Sequence, residues 1–347
     1  MFSRILVPLD GSTLAERAIP HAEQFARIFG ADIILLQVLE PTSYHENPEA
    51  VDPLSWQIRK AEADLYMQGI AARIRENLGE TAPKDAEEKK SRVAYSIREG
   101  KASENIVDFA HAEHIDLLVI STHGSGGLSR WNMSSVTQKV TNLIYRHVLL
   151  VRAYGQSGIE HRVRYRRILL PIDSSRRAES SLSAGVALSR GEISLRNAAE
   201  AENPISDLSS ENPKLVLAAV IKQPEIPIPK PYPVEIDLLS EQLMQTSRNA
   251  VHNYLETMKE RLPVECETCV VESDSVPSAI QELAAQDDID LVVLSAHGYS
   301  GQLTPYGTVT RNYMEHGTKP VLVIQDVPLS EVQPTAAGIA AEETGRR

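Results

Sequence analysis

Short apolar runs alternate with longer amphipathic stretches along the chain, and the whole alternation occurs twice. Residues 5–9 are an apolar run that stops at Asp10, the pattern of a strand covered on both faces. Thr13 and Glu16 follow at capping-box spacing, and Leu14, Ala18, Ala22, Phe25, Ala26 and Phe29 share one helical face. Pro20 is expected to kink that helix and Gly30 to end it. The pattern then predicts a strand over 33–38, a long helix over 53–78, a strand over 92–97 and a helix over 103–113. A strand over 116–121, a helix over 135–145 and a strand over 148–151 complete the unit.

The same order returns downstream. Arg4-Ile5-Leu6-Val7-Pro8-Leu9-Asp10 reappears as Arg167-Ile168-Leu169-Leu170-Pro171-Ile172-Asp173. The run from Ile115 to Gly124 reappears from Ile289 to Gly298, and His147-Val148-Leu149-Leu150-Val151 as Pro320-Val321-Leu322-Val323-Ile324. Matches in unchanged order indicate a domain duplication. Second-copy strands are expected over 167–172, 214–220, 264–271, 291–295 and 320–324, with a long helix over 237–261. Residues 197–213 read as a polar insertion and 224–233 as an extended Pro-rich surface segment. The expected organisation is a first domain over 1–152, a linker over 153–165, a second domain over 166–327 and a disordered tail over 328–347. Strands alternating with helices make each copy an α/β, doubly wound domain with a parallel sheet.

A length of 347 residues fits two such domains. Lys+Arg 35 against Asp+Glu 47 leaves a net charge of −12, opposite in sign to a phosphate-backbone binder, so nucleic acid is not an expected partner. No run reaches the ~20 apolar residues of a membrane span, and the N-terminal segment lacks a signal peptide's apolar region. A cytoplasmic protein without a membrane partner is therefore expected. With 2 Cys a disulfide scaffold is excluded. Cys266 and Cys269 form a CxxC within an expected strand, where positions i and i+3 face opposite sides. Free thiols are expected there, and no metal site.

In an open parallel sheet, ligands sit beyond the carboxyl ends of the strands. Asp10 ends the first strand, and Ser121-Thr122-His123-Gly124-Ser125-Gly126-Gly127 follows the fourth. A Gly-rich loop leading to a helix start can aim N–H groups at phosphate, with Ser134, Ser135 and Thr137 adding hydroxyl donors. The alternative is a tight turn at Asp10 and a flexible connection at 124–127. Neither a P-loop nor a Rossmann fingerprint is present. His123 and His297 recur at equivalent loop positions, where a loop-stabilising hydrogen bond is expected. No catalytic residue is identifiable.

These blocks, in order and twice, resemble tandem universal stress protein domains. The resemblance implies five-stranded sheets of order 3-2-1-4-5 and, in some members, ATP bound through a Gly, two residues, Gly, nine residues, then Gly-Ser or Gly-Thr. Carried onto the first copy, those positions fall on Ser121 and Gly124, then on Ser134 and Ser135, with Val136 and Thr137 following. Asp10 would contact the adenosine moiety, the backbone of Val38 would meet the adenine edge, and Pro8 joins the nucleotide-binding set. In the second copy the corresponding residues are Asp173, Val220, Gly298, Gly307 and Thr308. There only eight residues separate Gly298 from Gly307, one of them Pro305, and Ser174 replaces the Gly of the first turn. The first copy is the stronger nucleotide candidate.

The resemblance thus implies a stress-response regulatory module binding ATP or another adenine nucleotide, Mg accompanying ATP. Ligand-linked ordering of 124–135 would shift its association with other proteins. It further implies intramolecular pairing of the two domains through their closing strands, with a homo-oligomer also possible. A nucleotide-free interaction scaffold and a slow ATPase or self-phosphorylating protein are the rival readings.

Overall fold

The computed structural model describes residues 1–40, 53–80, 91–123, 133–153, 162–202, 212–229, 232–286, 288–299 and 304–326, and only the backbone within 196–202. Two compact units are built on Met1–Val163 and on Arg164–Asp326. The first unit carries β1 (Arg4–Leu9), α1 (Thr13–Glu16), α2 (Ala18–Phe29), β2 (Asp32–Leu39) and α3 (Pro53–Asn77). It continues through β3 (Val93–Glu99), α4 (Ala102–Ala112), β4 (Leu117–Ser121), α5 (Ser135–Leu143) and β5 (His147–Val151). Its strands are parallel, in the order β3-β2-β1-β4-β5.

The second unit contains β6 (Arg167–Pro171), α6 (Ser180–Glu202), β7 (Lys214–Ile221), α7 (Val234–Arg261) and β8 (Cys266–Glu272). After these come α8 (Val276–Ala284), β9 (Leu291–Ser295), α9 (Thr308–His316) and β10 (Val321–Ile324). The order is β8-β7-β6-β9-β10, again parallel. Both sheets therefore have the expected doubly wound topology.

Helices on both faces explain the unbroken apolar strands. Ile5, Leu6, Val7, Leu35, Leu117 and Val119 are wholly buried. β1 pairs with β2 along its whole length, but with β4 only at Ile5↔Leu117 and Leu6↔Leu118. The β1–β4 ladder stops short of Pro8, whose ring carries no N–H to continue it. β6 repeats this, pairing with β9 at Ile168↔Leu291 and Leu169↔Val292 before Pro171. In each unit the gap begins where a crevice is needed, at the carboxyl ends of the first and fourth strands.

Several local expectations change. The first helix is interrupted at Arg17, three residues before Pro20, whose missing N–H leaves the carbonyl one turn back without a helical partner. Ser12, and not Thr13, caps α1: its Oγ accepts from the Ala15 N–H at 3.2 Å. Glu16 does not reach back to complete a capping box; its carboxylate receives Tyr66 Oη at 3.2 Å and Arg73 Nη2 at 2.8 Å. Gly30 ends α2 in the left-handed conformation at φ 67°. The segment expected as a polar insertion from 197 begins as helix, since α6 continues to Glu202. Helix α5 ends at Leu143, followed by Tyr145 at φ 44°. The described residues of 222–229 contain neither helix nor strand, whereas the tail over 328–347 lies outside the described residues. Cys266 and Cys269 are free thiols on β8, and burial pushes the Cys266 thiol up to about 11.

Candidate functional site

The Asp10-Gly11-Ser12 turn is rigid by construction. Asp10 Oδ1 accepts from the Ser12 N–H at 3.0 Å and from Ser12 Oγ at 2.6 Å, while Ser12 Oγ caps the next helix. Gly11 sits at φ 82°, a region that side chains disfavour. The turn holds the Asp10 carboxylate at the crevice.

Across the crevice, hydroxyl bonds fix the start of α5. Thr137 Oγ1 donates to the Ser121 carbonyl at 3.0 Å, and Ser134 N–H donates to the Thr122 carbonyl at 2.8 Å. Because the carbonyl can only accept, Thr137 spends its proton there, and Ser134 is the donor in its 2.9 Å contact with Thr137 Oγ1. Ser134 Oγ also accepts from the Thr137 N–H at 3.1 Å. This corrects one expectation: the Ser134 and Thr137 hydroxyl protons are used inside the cradle, leaving the exposed Ser135 as the hydroxyl at the helix start. Ser134 has φ −58°, so a Cβ is accommodated there without strain. The N–H groups of Ser135 and Val136 lie in the first helical turn, where no intrahelical acceptor exists, at the positive end of the α5 dipole.

A cleft of about 460 Å³ joins these elements. Pro8, Asp10, Val38 and Ser121 line it, as do Ser134, Ser135, Val136 and Thr137. Thus eight of the nine residues singled out in the first copy meet at one cavity; the ninth, Gly124, lies outside the described residues. Sequence reasoning missed Gln37, Glu40 and Arg59, which also line the cleft. Arg59 Nη2 donates to the Glu40 carbonyl at 3.3 Å, and Glu40 Oε1 accepts from the Ala102 N–H at 2.7 Å at the start of α4.

Another missed feature supports the turn from behind. Tyr66 of α3 donates to Glu16, and Tyr254 of α7 donates to Glu179 at 2.9 Å. Burial, then the glutamate beside each, raises both phenols above their ordinary range. Each glutamate lies six residues after the turn aspartate, a regularity visible in the duplicated sequence.

The second unit has the same cradle. Thr310 Oγ1 donates to the Ser295 carbonyl at 2.7 Å and Gly307 N–H to the Ala296 carbonyl at 2.8 Å, matching Thr137 and Ser134. Thr308 is the first residue of α9, and Val220 lies on β7. Asp173 Oδ1 accepts from the Ser175 N–H at 3.0 Å, and Ser174 adopts φ 63° in place of glycine. Asp173 Oδ2 accepts from the Tyr299 N–H at 2.8 Å. A Cβ on Gly298 would stand 2.3 Å from that same oxygen, so the loop backbone lies directly against the carboxylate.

His297, wholly buried, bridges Asp326 Oδ1 at 2.6 Å and the Thr304 carbonyl at 2.5 Å. His123 contacts Thr122 Oγ1 at 3.0 Å. The His123 contact stays within its own loop, whereas His297 ties its loop both to itself and to the residues that follow β10. Among the described residues no group of three or more His, Cys, Asp and Glu could hold a metal ion, and no helix is long and apolar enough to cross a membrane.

The two parallel sheets of repeated strand order define a tandem α/β protein of doubly wound type. The chain belongs to the Universal stress protein family, whose sequence model matches residues 1–152 and again 164–325. A universal stress protein of Synechocystis sp. is 33% identical over 159 residues, covering 44% of this chain and 86% of that protein. A universal stress protein structure from Archaeoglobus fulgidus superposes with a TM-score of 0.62 at 14% identity, covering 93% of this chain and 98% of that one. A putative universal stress protein from Pseudomonas aeruginosa gives 0.54 at 15% identity over 100% and 98%. At these identities, the two structures bear on the fold alone.

Proposed function

We propose that the chain is a stress-response regulatory module that binds one adenine nucleotide, ATP foremost, in the cleft of its first unit. The carrying observation is the convergence on one cavity of the Asp10 carboxylate, the Val38 strand end and the open N-terminal turn of α5. The cleft volume of about 460 Å³ falls among ordinary small-ligand sites. Phosphate is received by the Ser135 and Val136 N–H groups with Ser135 Oγ, and ribose by Asp10. The adenine edge meets the Val38 backbone. A backbone cradle needs no net positive charge, so a chain of −12 can still hold an anion. The second unit, whose loop is one residue shorter between the two glycines and carries Pro305, takes a structural role. Occupancy of the first cleft controls association with other proteins.

Calorimetric titration of the full chain with ATP and AMP, with product analysis, tests this reading. One equivalent should bind, Asp10→Ala and Gly124→Val should abolish the heat, and Asp173→Ala should leave it. Neither ADP nor phosphoprotein should accumulate. No heat and no thermal shift at millimolar ATP overturns the proposal, and two equal equivalents overturn the assignment of roles.

A further inference from the structure

Gln37 lies on β2 opposite Leu9 of β1, one residue before Val38, and is 9% exposed. Its carboxamide oxygen is buried and makes no hydrogen bond. A buried acceptor without a donor is costly, and its persistence in a folded protein calls for a partner. Gln37 also lines the cleft. Its Nε2 would be 4.0 Å from a Cβ placed on Gly11, so the carboxamide sits beside the Asp10-Gly11-Ser12 turn.

We propose that Gln37 is a specificity residue: Oε1 accepts a hydrogen bond from a ribose hydroxyl, so that the cleft favours ribonucleotides over their deoxy analogues. This rests on the adenine-nucleotide reading of the same cleft. A carboxamide oxygen can only accept, so its complement is a hydroxyl or an N–H. Its position beside the Asp10 turn favours the sugar, since the base edge is assigned to the Val38 backbone. The last torsion of glutamine is broad, which lets the oxygen turn toward the cleft while the stem stays packed. Asp10 and Gln37 then supply two acceptors from adjoining strands, the complement of a vicinal diol.

The test compares wild type with Gln37→Met in the full chain, titrating ATP, its 2′-deoxy and 3′-deoxy analogues, and ITP. Wild type should bind ATP about 3- to 10-fold more tightly than at least one deoxy analogue, the worth of one neutral hydrogen bond. Gln37→Met should lose that preference through weaker ATP binding, with affinity for that analogue unchanged. Its ligand-free melting temperature should not fall, because the substitution conserves volume and removes a carboxamide whose buried oxygen is unpaired. Gln37→Glu, which keeps an acceptor, should retain the preference, and it provides the comparison should Gln37→Met melt early. An unchanged deoxy preference in Gln37→Met overturns the inference and spares the nucleotide site. A change confined to the ATP-to-ITP ratio also overturns it, showing that the oxygen reads the base. If wild type binds no ATP, both readings fall.

Discussion

The Tyr299 N–H donates to Asp173 Oδ2 at 2.8 Å, joining the loop after β9 to the turn after β6. The Asp173 turn is built like the Asp10 turn: in both, Oδ1 accepts at 3.0 Å from the N–H two residues on. In the second unit the loop's approach sets the Tyr299 N–H and the Gly298 backbone against the carboxylate.

That approach depends on a missing side chain. Gly298→Ala would put a Cβ 2.3 Å from Asp173 Oδ2, forcing the Tyr299 bond apart. The substitution should destabilise the second unit by about 1–3 kcal/mol, read from urea unfolding of the full chain. Unchanged stability would mean that the loop moves freely off the carboxylate.

The turns also differ in strain. Gly11 at φ 82° is unstrained, whereas Ser174 holds φ 63° with a Cβ. A left-handed conformation costs a non-glycine residue roughly 1–2 kcal/mol, partly offset because glycine loses more freedom on folding. Ser174→Gly should therefore raise stability, by about 0.5 kcal/mol. A loss of stability would show that the serine side chain contributes more than its backbone costs.

Thr137 offers a near-isosteric test. Valine at this position keeps the volume but removes the donor to the Ser121 carbonyl, beside a buried strand end. Thr137→Val should cost about 1–2 kcal/mol, and Thr310→Val a similar amount through Ser295. If the cost is negligible, the hydroxyl bonds do not hold the helix starts in place.

Acid should weaken the first unit through His21. Burial in α2 lowers its pKa from 6.5 to about 4, so below pH 6.5 the unfolded chain takes up a proton that the folded one refuses. Its contribution is constant above pH 6.5 and is lost as pH falls towards 4, by up to about 3 kcal/mol. Urea midpoints measured across this range should fall less in His21→Gln than in wild type. Parallel curves would remove His21 as a cause.

The elements were legible because they are carried by local and repeated signals, whereas the strand order was what the family resemblance implied. The runs ending at Asp10 and Asp173 marked strands buried on both faces, and Gly30 marked a helix end. The candidate residues of the first copy were likewise adjacent in sequence blocks. The errors arose where the deciding partner is distant. Ser12 and Thr13 are both good caps, and Ser12 prevails because the Asp10 turn already holds it. Glu16 is drawn away by Tyr66 and Arg73, 50 and 57 residues further along the chain. The Tyr299 bond to Asp173 crosses 126 residues, and no local pattern announces it. The orphaned Gln37 oxygen exists only after packing, since its environment and not its identity makes it unusual.

The two threonine hydroxyl bonds have a kinetic consequence. They clamp each helix start to the end of the fourth strand of its unit using groups internal to the protein, before any ligand arrives. The ordering entropy of that corner is spent once, during folding, and is not charged again at each encounter. On the proposed function, nucleotide entry to the first cleft should then follow a single bimolecular phase that is linear in concentration, with affinity differences among analogues residing in their departure rates.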